Sequence, residues 1–386
     1  MINMYAAIKQ AVNLRYLPTP VFVREYVVNA NFGFCAGVTQ PMSNLVMENN
    51  SMNDKKHPEL AKSDIIKHLP KACGDEKAAV EFFERQRWGN SPVCPHCQSA
   101  DVYKMTGRAG GRNKRYLWRC RACGEQYTVR TGAIYENSKL PLRHWAYGFW
   151  RVCASKKGVS AREIERNCQI THKSALFLMH RIRFTLKVDQ ANRQKLGSTT
   201  GICEVDETFV GGKPRPGDPR TVLPGYRKNS NKTPVVAVVE RGGHVRLKVV
   251  PQVTQNNVGH FLFENIENGT IVNTDQSRVY HTILYPITKH LGGRHDIVNH
   301  SKQQYTARNE DGTTSGVNCA ESFFSLIKRG LLGTFHAVSK EHLHRYCDEF
   351  AFRWDTRKLN DGERVVEAVK RTEGKRLTYD QYVCRN

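Results

Sequence analysis

Two cysteine pairs limit what the first half of this chain can become. Cys94-Pro95-His96-Cys97 and Cys120-Arg121-Ala122-Cys123 are C-x-x-C knuckles separated by 22 residues. Four thiolates so arranged form a tetrahedral donor set for zinc, at the spacing of a zinc ribbon. A redox dithiol would need only one pair. The intervening residues read as strands, Val102-Tyr103-Lys104-Met105 and Arg115-Tyr116-Leu117-Trp118-Arg119, around the glycine-rich Gly107 to Gly111. Gln126-Tyr127-Thr128-Val129 continues as a strand. A unit this small has little core of its own, so it is expected to depend on one structural Zn2+ held by Cys94, Cys97, Cys120 and Cys123. His96 is expected to face solvent, because four cysteines complete the shell.

The other eight of the 12 cysteines are scattered. Without a charged region, apolar run and cleavage site in series at the N-terminus, they read as free thiols in a reducing cytoplasm. No run approaches the roughly 20 apolar residues of a membrane span. Lys plus Arg number 59 against 36 Asp plus Glu, a formal net charge of +23. Such an excess favours a polyanionic partner, nucleic acid before any membrane surface.

Residues 1–51 lack clear periodicity and read as a weakly ordered extension, or as sequence upstream of initiation at Met47 or Met52. Patterning becomes regular from Ser63, with a short helix at 63–69 and a second at 76–87 capped by Asp75. Beyond the cysteines, a helical region spans 138–195. Ser160 with Glu163 forms a capping-box pattern, and a second helix starts at Thr171. The pair resembles a helix-turn-helix, with His172, Lys173 and Arg181 as exposed DNA-contacting candidates and Lys156, Lys157 and Arg162 alongside. An ordinary helical hairpin is the alternative.

After the linker Gly197 to Gly201 the texture turns strand-rich, to about residue 360. Ile202 to Val210 alternates as a strand but carries Glu204, Asp206 and Glu207, and buried carboxylates are costly unless paired or metal-bound. Two strands joined by Gly242-Gly243 follow, then a helix near 255–266, a strand from Gly269 to Asp275, a strand at 296–300 and a helix from Asn318 to Lys328. This order fits an α/β, ribonuclease H-like domain. In it Asp206, Asp275 and Glu321 can converge on two Mg2+ or Mn2+ ions for in-line displacement at phosphorus. Glu321 is preferred over Asn318 as the third ligand because an amide carries no charge. Lys328 stands seven residues beyond Glu321 on the same helix face, placed for a DNA phosphate.

These residues carry a resemblance. Asp206-Glu207-Thr208-Phe209-Val210-Gly211-Gly212-Lys213 is similar to a family signature, and so are Val298 to Lys302, Asn318 to Phe324, Lys328-Arg329-Gly330, Gly333 to His336 and the block from His342 to Arg353. With the upstream ribbon, residues 60–380 resemble insertion-sequence transposases of the IS1595 type, with an ISXO2-like domain. Asp355 stands where that pattern has Asn. The resemblance implies a bacterial, nucleoid-associated DDE transposase acting on double-stranded DNA, with terminal inverted repeats and target DNA as partners and a homo-oligomer on DNA. It implies Asn or Glu as the last member of the acidic set, and both Asn318 and Glu321 are present. A structure-specific nuclease and a non-catalytic DNA-binding regulator are the competing readings. The expected layout is an extension (1–51), a helical lead-in with zinc ribbon (60–135), the helix-turn-helix-like region (138–195), the catalytic domain (200–360) and a C-terminal tail (361–386).

Overall fold

Aromatic rings as well as cysteines hold the ribbon. The computed structural model describes residues 62–188, 194–198, 200–212, 232–276, 278–299 and 305–383, all within one unit, Pro58–Asn386. The extension 1–51, and Lys213, His300, Ser301 and Lys302 of the family blocks, lie outside the described residues. Helices α1 (Lys62–Gly74) and α2 (Glu76–Trp88) come first, and the Asp75 carboxylate accepts the Ala78 amide at 2.7 Å to cap α2. Strands β1 (Val102–Lys104), β2 (Trp118–Cys120) and β3 (Gln126–Tyr127) pair antiparallel in that order. Trp118 and Tyr127, opposite one another, stack at 6.5 Å, and both meet Trp88 edge-on. Buried Glu84 accepts the Trp118 indole N–H at 2.7 Å and pairs with Arg112. The ribbon, with little core of its own, borrows one from its neighbours. Cys94, Trp118, Cys120 and Tyr127 join one apolar core with α2 and the helices beyond.

Those helices are α3 (Leu142–Ala154), α4 (Ala161–Cys168) and α5 (His172–Leu186). Ser160 and Thr171 cap α4 and α5 by accepting the Glu163 and Ser174 amides. The other half of the expected capping box is replaced: Glu163 accepts Arg151 Nε on α3 at 2.7 Å, because a guanidinium makes the stronger, charge-assisted bond.

The second half is built on a five-stranded sheet, in the order β6-β5-β4-β7-β8. Its elements are β4 (Ile202–Val210), β5 (Thr233–Glu240), β6 (Val245–Val249), α6 (Gln255–Asn265), β7 (Ile271–Asp275), α7 (Arg278–Leu291) and β8 (Arg294–Val298). β4 lies in the middle, antiparallel to β5 and parallel to β7. Gly242, at φ 69°, turns the β5–β6 hairpin. A short hairpin, β9 (Thr306–Arg308) and β10 (Thr314–Gly316), occupies the stretch that reads as a polar loop. Asp296 staples it to β8 by accepting Asn309 Nδ2 and Ser315 Oγ. Then follow α8 (Asn318–Gly330), a π-helical turn (Leu331–Phe335) and α9 (Leu343–Asp355). Apart from this hairpin and α7, the strands and helices through α8 come in the order read from the sequence.

Strand alternation divides the sheet between two cores. Cys203 and Val205, with Val236 and Val238, pack under α6 and α7. Val235, Ala237 and Val239 pack under α8 and α9. Glu204 and Asp206 pair with Val239 and Ala237, so they share the face toward α8. Asp355 serves the sheet locally, accepting the Val245 amide at 2.9 Å and lying 3.4 Å from Arg246.

The expected C-terminal tail folds instead, as α10 (Asp361–Lys370) and α11 (Tyr379–Val383). Asn360 and Glu363 make a complete capping box, and the stripe Val365, Ala368 and Val369 buries itself in the first core. Lys375 Nζ then donates to the Thr185 and Lys187 carbonyls at the end of α5. The two halves meet where Glu349 of α9, fully buried, pairs with Arg183 of α5 and Arg353.

Candidate active site

The acids of the central strand fare differently from one another. Glu204 is 1% exposed and satisfied by protein: Oε1 accepts Arg241 Nε at 2.7 Å, and Oε2 accepts the Cys319 and Ala320 amides at 2.7 and 3.1 Å. It thereby caps the first turn of α8, the turn that carries Glu321. Two residues along the same face, Asp206 accepts the Glu207 amide at 2.8 Å. The parallel register sets Glu204 beside Asn273, which carries Asp206 alongside Asp275 at the end of β7. Burial first, then the Glu207, Asp275 and Glu321 carboxylates, push the Asp206 acid up to about 7, against the lowering effect of the Glu207 amide. Burial also raises Glu207, against the lowering effect of the nearby Tyr280 hydroxyl. The Glu207 Oε2 atom is buried, and no well-aligned donor reaches it among the described residues.

This donor set fits divalent cations. Its groups are hard carboxylate oxygens, Asp206 feels the charges of Glu207, Asp275 and Glu321, and one buried carboxylate oxygen lacks a well-aligned donor. The carboxylates of Asp206, Asp275 and Glu321 are not drawn as tightly as the cysteine sulfurs, which are the one such group among the described residues with all ligand atoms within 4.8 Å.

A cleft of about 380 Å3 opens over Asp206, Glu207 and Glu321, and Asp275 is not among the residues that line it. Asp206, Glu207 and Glu321 form its acidic wall, and Lys328 and Arg329 its basic rim. Glu321, Ser325, Lys328 and Leu332 all line it, at the i, i+4, i+7, i+11 spacing of one helix face. Glu207, Ser325, Arg329 and Leu332 were not singled out from sequence. The helical spacing from Glu321 is the signal that reaches Ser325 and Leu332. Asn318, exposed at the first position of α8, is not among the cleft residues.

At the ribbon, Cys94 Sγ lies 3.7 Å from Cys123 Sγ, and Cys97 Sγ lies 3.6 Å from Cys120 Sγ. A sulfur tetrahedron with Zn–S of about 2.3 Å has edges of roughly 3.8 Å, so the sulfurs fit zinc. His96 is exposed and stands outside this group.

The expected DNA-contacting residues separate. Lys156, Lys157 and Lys173 are not buried, and Lys173 lies over the Tyr379 ring at 5.0 Å. His172 has Nδ1 3.2 Å from the Glu165 carboxylate. Arg181 is corrected: it is 5% exposed, stacks on Trp145 and Phe177, and donates to the Ile134 and Glu136 carbonyls. A guanidinium so engaged is structural. From Leu178 onward α5 is almost entirely buried, so only its first turn offers a surface.

The chain thus joins a four-cysteine ribbon to a mixed α/β domain that carries an acidic cleft with a basic rim. Comparison with known proteins narrows this. Residues 198–355 match the ISXO2-like transposase domain, and residues 74–126 match the transposase zinc-ribbon domain. The chain thus carries a DDE-class, ISXO2-like transposase domain with an N-terminal transposase zinc ribbon. It is 26% identical over 290 residues, 72% of this chain and 90% of the relative, to an uncharacterized protein in transposable element ISH50 of Halobacterium salinarum. It also aligns with a chain in the crystal structure of a pre-cleavage Mos1 transpososome, at 11% identity and a TM-score of 0.23, over 54% of this chain and 70% of that one. No helix among the described residues is long and apolar enough to cross a membrane.

Proposed function

We propose that this chain is a DNA transposase that binds the terminal inverted repeats of an insertion sequence and catalyses cleavage and strand transfer. The observation that supports the reading is that Asp206 on β4 feels the charges of Asp275 on β7 and Glu321 on α8, and that Asp206 and Glu321 line one cleft with Lys328 and Arg329. The topology around them supports a ribonuclease H-like module. The modules are then the ribbon (60–135), the helical region (138–195) and the catalytic domain (200–360), with residues 361–383 completing the helical core.

Asp206, Asp275 and Glu321 would hold a pair of Mg2+ or Mn2+ ions, with Glu207 close by. Such ions, when bound, would supply Lewis acidity toward a water or 3′-hydroxyl and toward the leaving oxygen. The protein's own groups supply the rest. Glu204 fixes the α8 turn on which Glu321 stands. Lys328 and Arg329 hold phosphates beside the acidic wall. Cys94, Cys97, Cys120 and Cys123 would hold one structural Zn2+. DNA contact beyond the cleft falls to Lys156, Lys157, Lys173 and His172 rather than to a whole recognition helix. The Lys156-Lys157 turn abuts the end of α8, since a Cβ on Gly330 would lie 2.9 Å from the Lys157 carbonyl. Basic residues therefore run from that turn to the cleft.

The test is a strand-transfer assay on the DNA ends flanking the protein's own gene, with Mg2+. Wild type should cleave the ends and join them to target DNA. Glu321→Gln should lose both steps and keep end binding, whereas Asn318→Ala should retain them. Cleavage without joining would indicate a nuclease. Near-normal catalysis by Glu321→Gln with loss in Asn318→Ala would transfer the third ligand to Asn318.

A further inference from the structure

Leu332 is 76% exposed, yet its backbone is firmly held. It sits on the π-helical turn that follows α8, and single π-turns cluster at functional sites. Leu331, just before it, packs on the core beneath α8 and α9. Phe335, at the end of the turn, meets Tyr346 at 4.8 Å and Phe350 at 6.3 Å, with the Arg183 guanidinium 5.2 Å from its ring. Gly330 has no room for a side chain, because a Cβ would lie 2.2 Å from the Phe350 ring. A fixed backbone therefore projects Leu332 outward.

Its direction is set by the helix. Leu332 continues the stripe Glu321, Ser325, Lys328 and lines the same cleft, with Lys328 and Arg329 between it and the acids. A single exposed leucine is ordinary on a protein surface. This one faces the place where a phosphodiester must lie to reach Asp206 and Glu321. An isobutyl group has no attraction for phosphate. It can cover the face of an unstacked base or wedge a base step, as apolar side chains do in bent and opened duplexes.

We propose that Leu332 is a DNA wedge: it occupies the position of a displaced base beside the scissile phosphate and holds the terminal base pairs open while Lys328 and Arg329 take the backbone. The proposal rests on the DNA-cutting reading of the cleft. Opening the end lets the cut strand descend to the acidic wall without its complement.

The experiment compares wild type, Leu332→Ala and Leu332→Phe on two duplexes carrying the element end that flanks the gene. One is fully paired; the other has mismatches at the cleavage site. Leu332→Ala should cleave the paired duplex at least about tenfold more slowly than wild type, a barrier increase of roughly 1.4 kcal/mol. It should recover on the mismatched duplex, and Leu332→Phe should cleave both. Because the side chain is exposed, thermal melting should be unchanged in both variants. If Leu332→Ala cleaves the paired end at the wild-type rate, or is equally slow on both duplexes, the wedge is overturned while the transposase reading stands. If wild type cleaves neither duplex, the transposase reading fails and the wedge with it.

Discussion

Acid should loosen the joint between the two halves of this protein, and His180 should carry a measurable share of the effect. His180 lies on α5, 1% exposed, with its ring 4.8 Å from His342, 5.7 Å from Tyr346 and 5.0 Å from Tyr382. Its Nδ1 is buried without a hydrogen-bond partner among the described residues. Burial first, then the positive charges of Arg183, His342, Arg345 and His344, drive its pKa down to about 2. In the unfolded chain the value is about 6.5. Between these limits the unfolded state binds a proton that the folded state refuses, so stability rises with pH in that window. The contribution is whole above about 6.5 and is lost progressively as pH falls.

At pH 5 the deficit is about 1.5 units, or roughly 2 kcal/mol from this one side chain. Against a total stability of about 5–15 kcal/mol that is a large fraction. His180→Phe keeps a ring in the cluster and removes the titration. Urea unfolding followed by tryptophan fluorescence at pH 7 and pH 5 gives the loss for each protein. The loss should be smaller in His180→Phe by about 2 kcal/mol. His342 and His344, also lowered by burial, titrate in both proteins and cancel in the difference. Equal losses in the two proteins would refute the reasoning, because they would mean that His180 accepts its proton without leaving the folded state.

Pure protein should contain one zinc per chain by elemental analysis, and Cys97→Ser should lower that content; metal-free native protein would overturn the ribbon assignment. Stripping zinc with a chelator should loosen the knuckles while far-ultraviolet dichroism falls only slightly, because Trp118 and Tyr127 remain anchored on Trp88. Glu204→Ala should cost about 3 kcal/mol in urea unfolding, since it strands Arg241 and uncaps α8, and Glu204→Gln should cost less by keeping an acceptor for the two amides. Equal stability of Glu204→Ala and wild type would show that the buried carboxylate is not what holds the helix.

Local signals were legible where one short segment decides the outcome. The knuckle spacing located the sulfur cluster, the Asp75, Ser160 and Thr171 caps marked helix starts, and the apolar run ending in Asp275 gave β7. What escaped depends on partners distant in sequence. Arg181 has the composition of a DNA contact, yet Trp145, Phe177 and two carbonyls near Ile134 claim it. The capping box at Ser160 lost its second half to Arg151, a residue on the preceding helix. Residues 361–383 looked like a tail because their apolar stripe is short. It is buried only because α1, α3 and α5 leave a face for it. A fragment ending near Gly197 would therefore expose the face that Val365, Ala368 and Val369 cover.

The acids of β4 show the same limit within the candidate site. Glu204, Asp206 and Glu207 are three carboxylates in one strand, each costly to bury. The sequence reading chose Asp206, and the fold shows what Glu204 does instead. Arg241 and the first amides of α8 satisfy Glu204, so it becomes a support. Among the described residues, burial and the Glu207, Asp275 and Glu321 carboxylates all disfavour the Asp206 charge, and that makes it a metal ligand candidate. The support and the candidate ligand are two residues apart on one face of one strand. Because Glu204 ties β4 to the first amides of α8, a movement of β4 would carry the start of α8 with it, so Asp206 and Glu321 stay in register with each other.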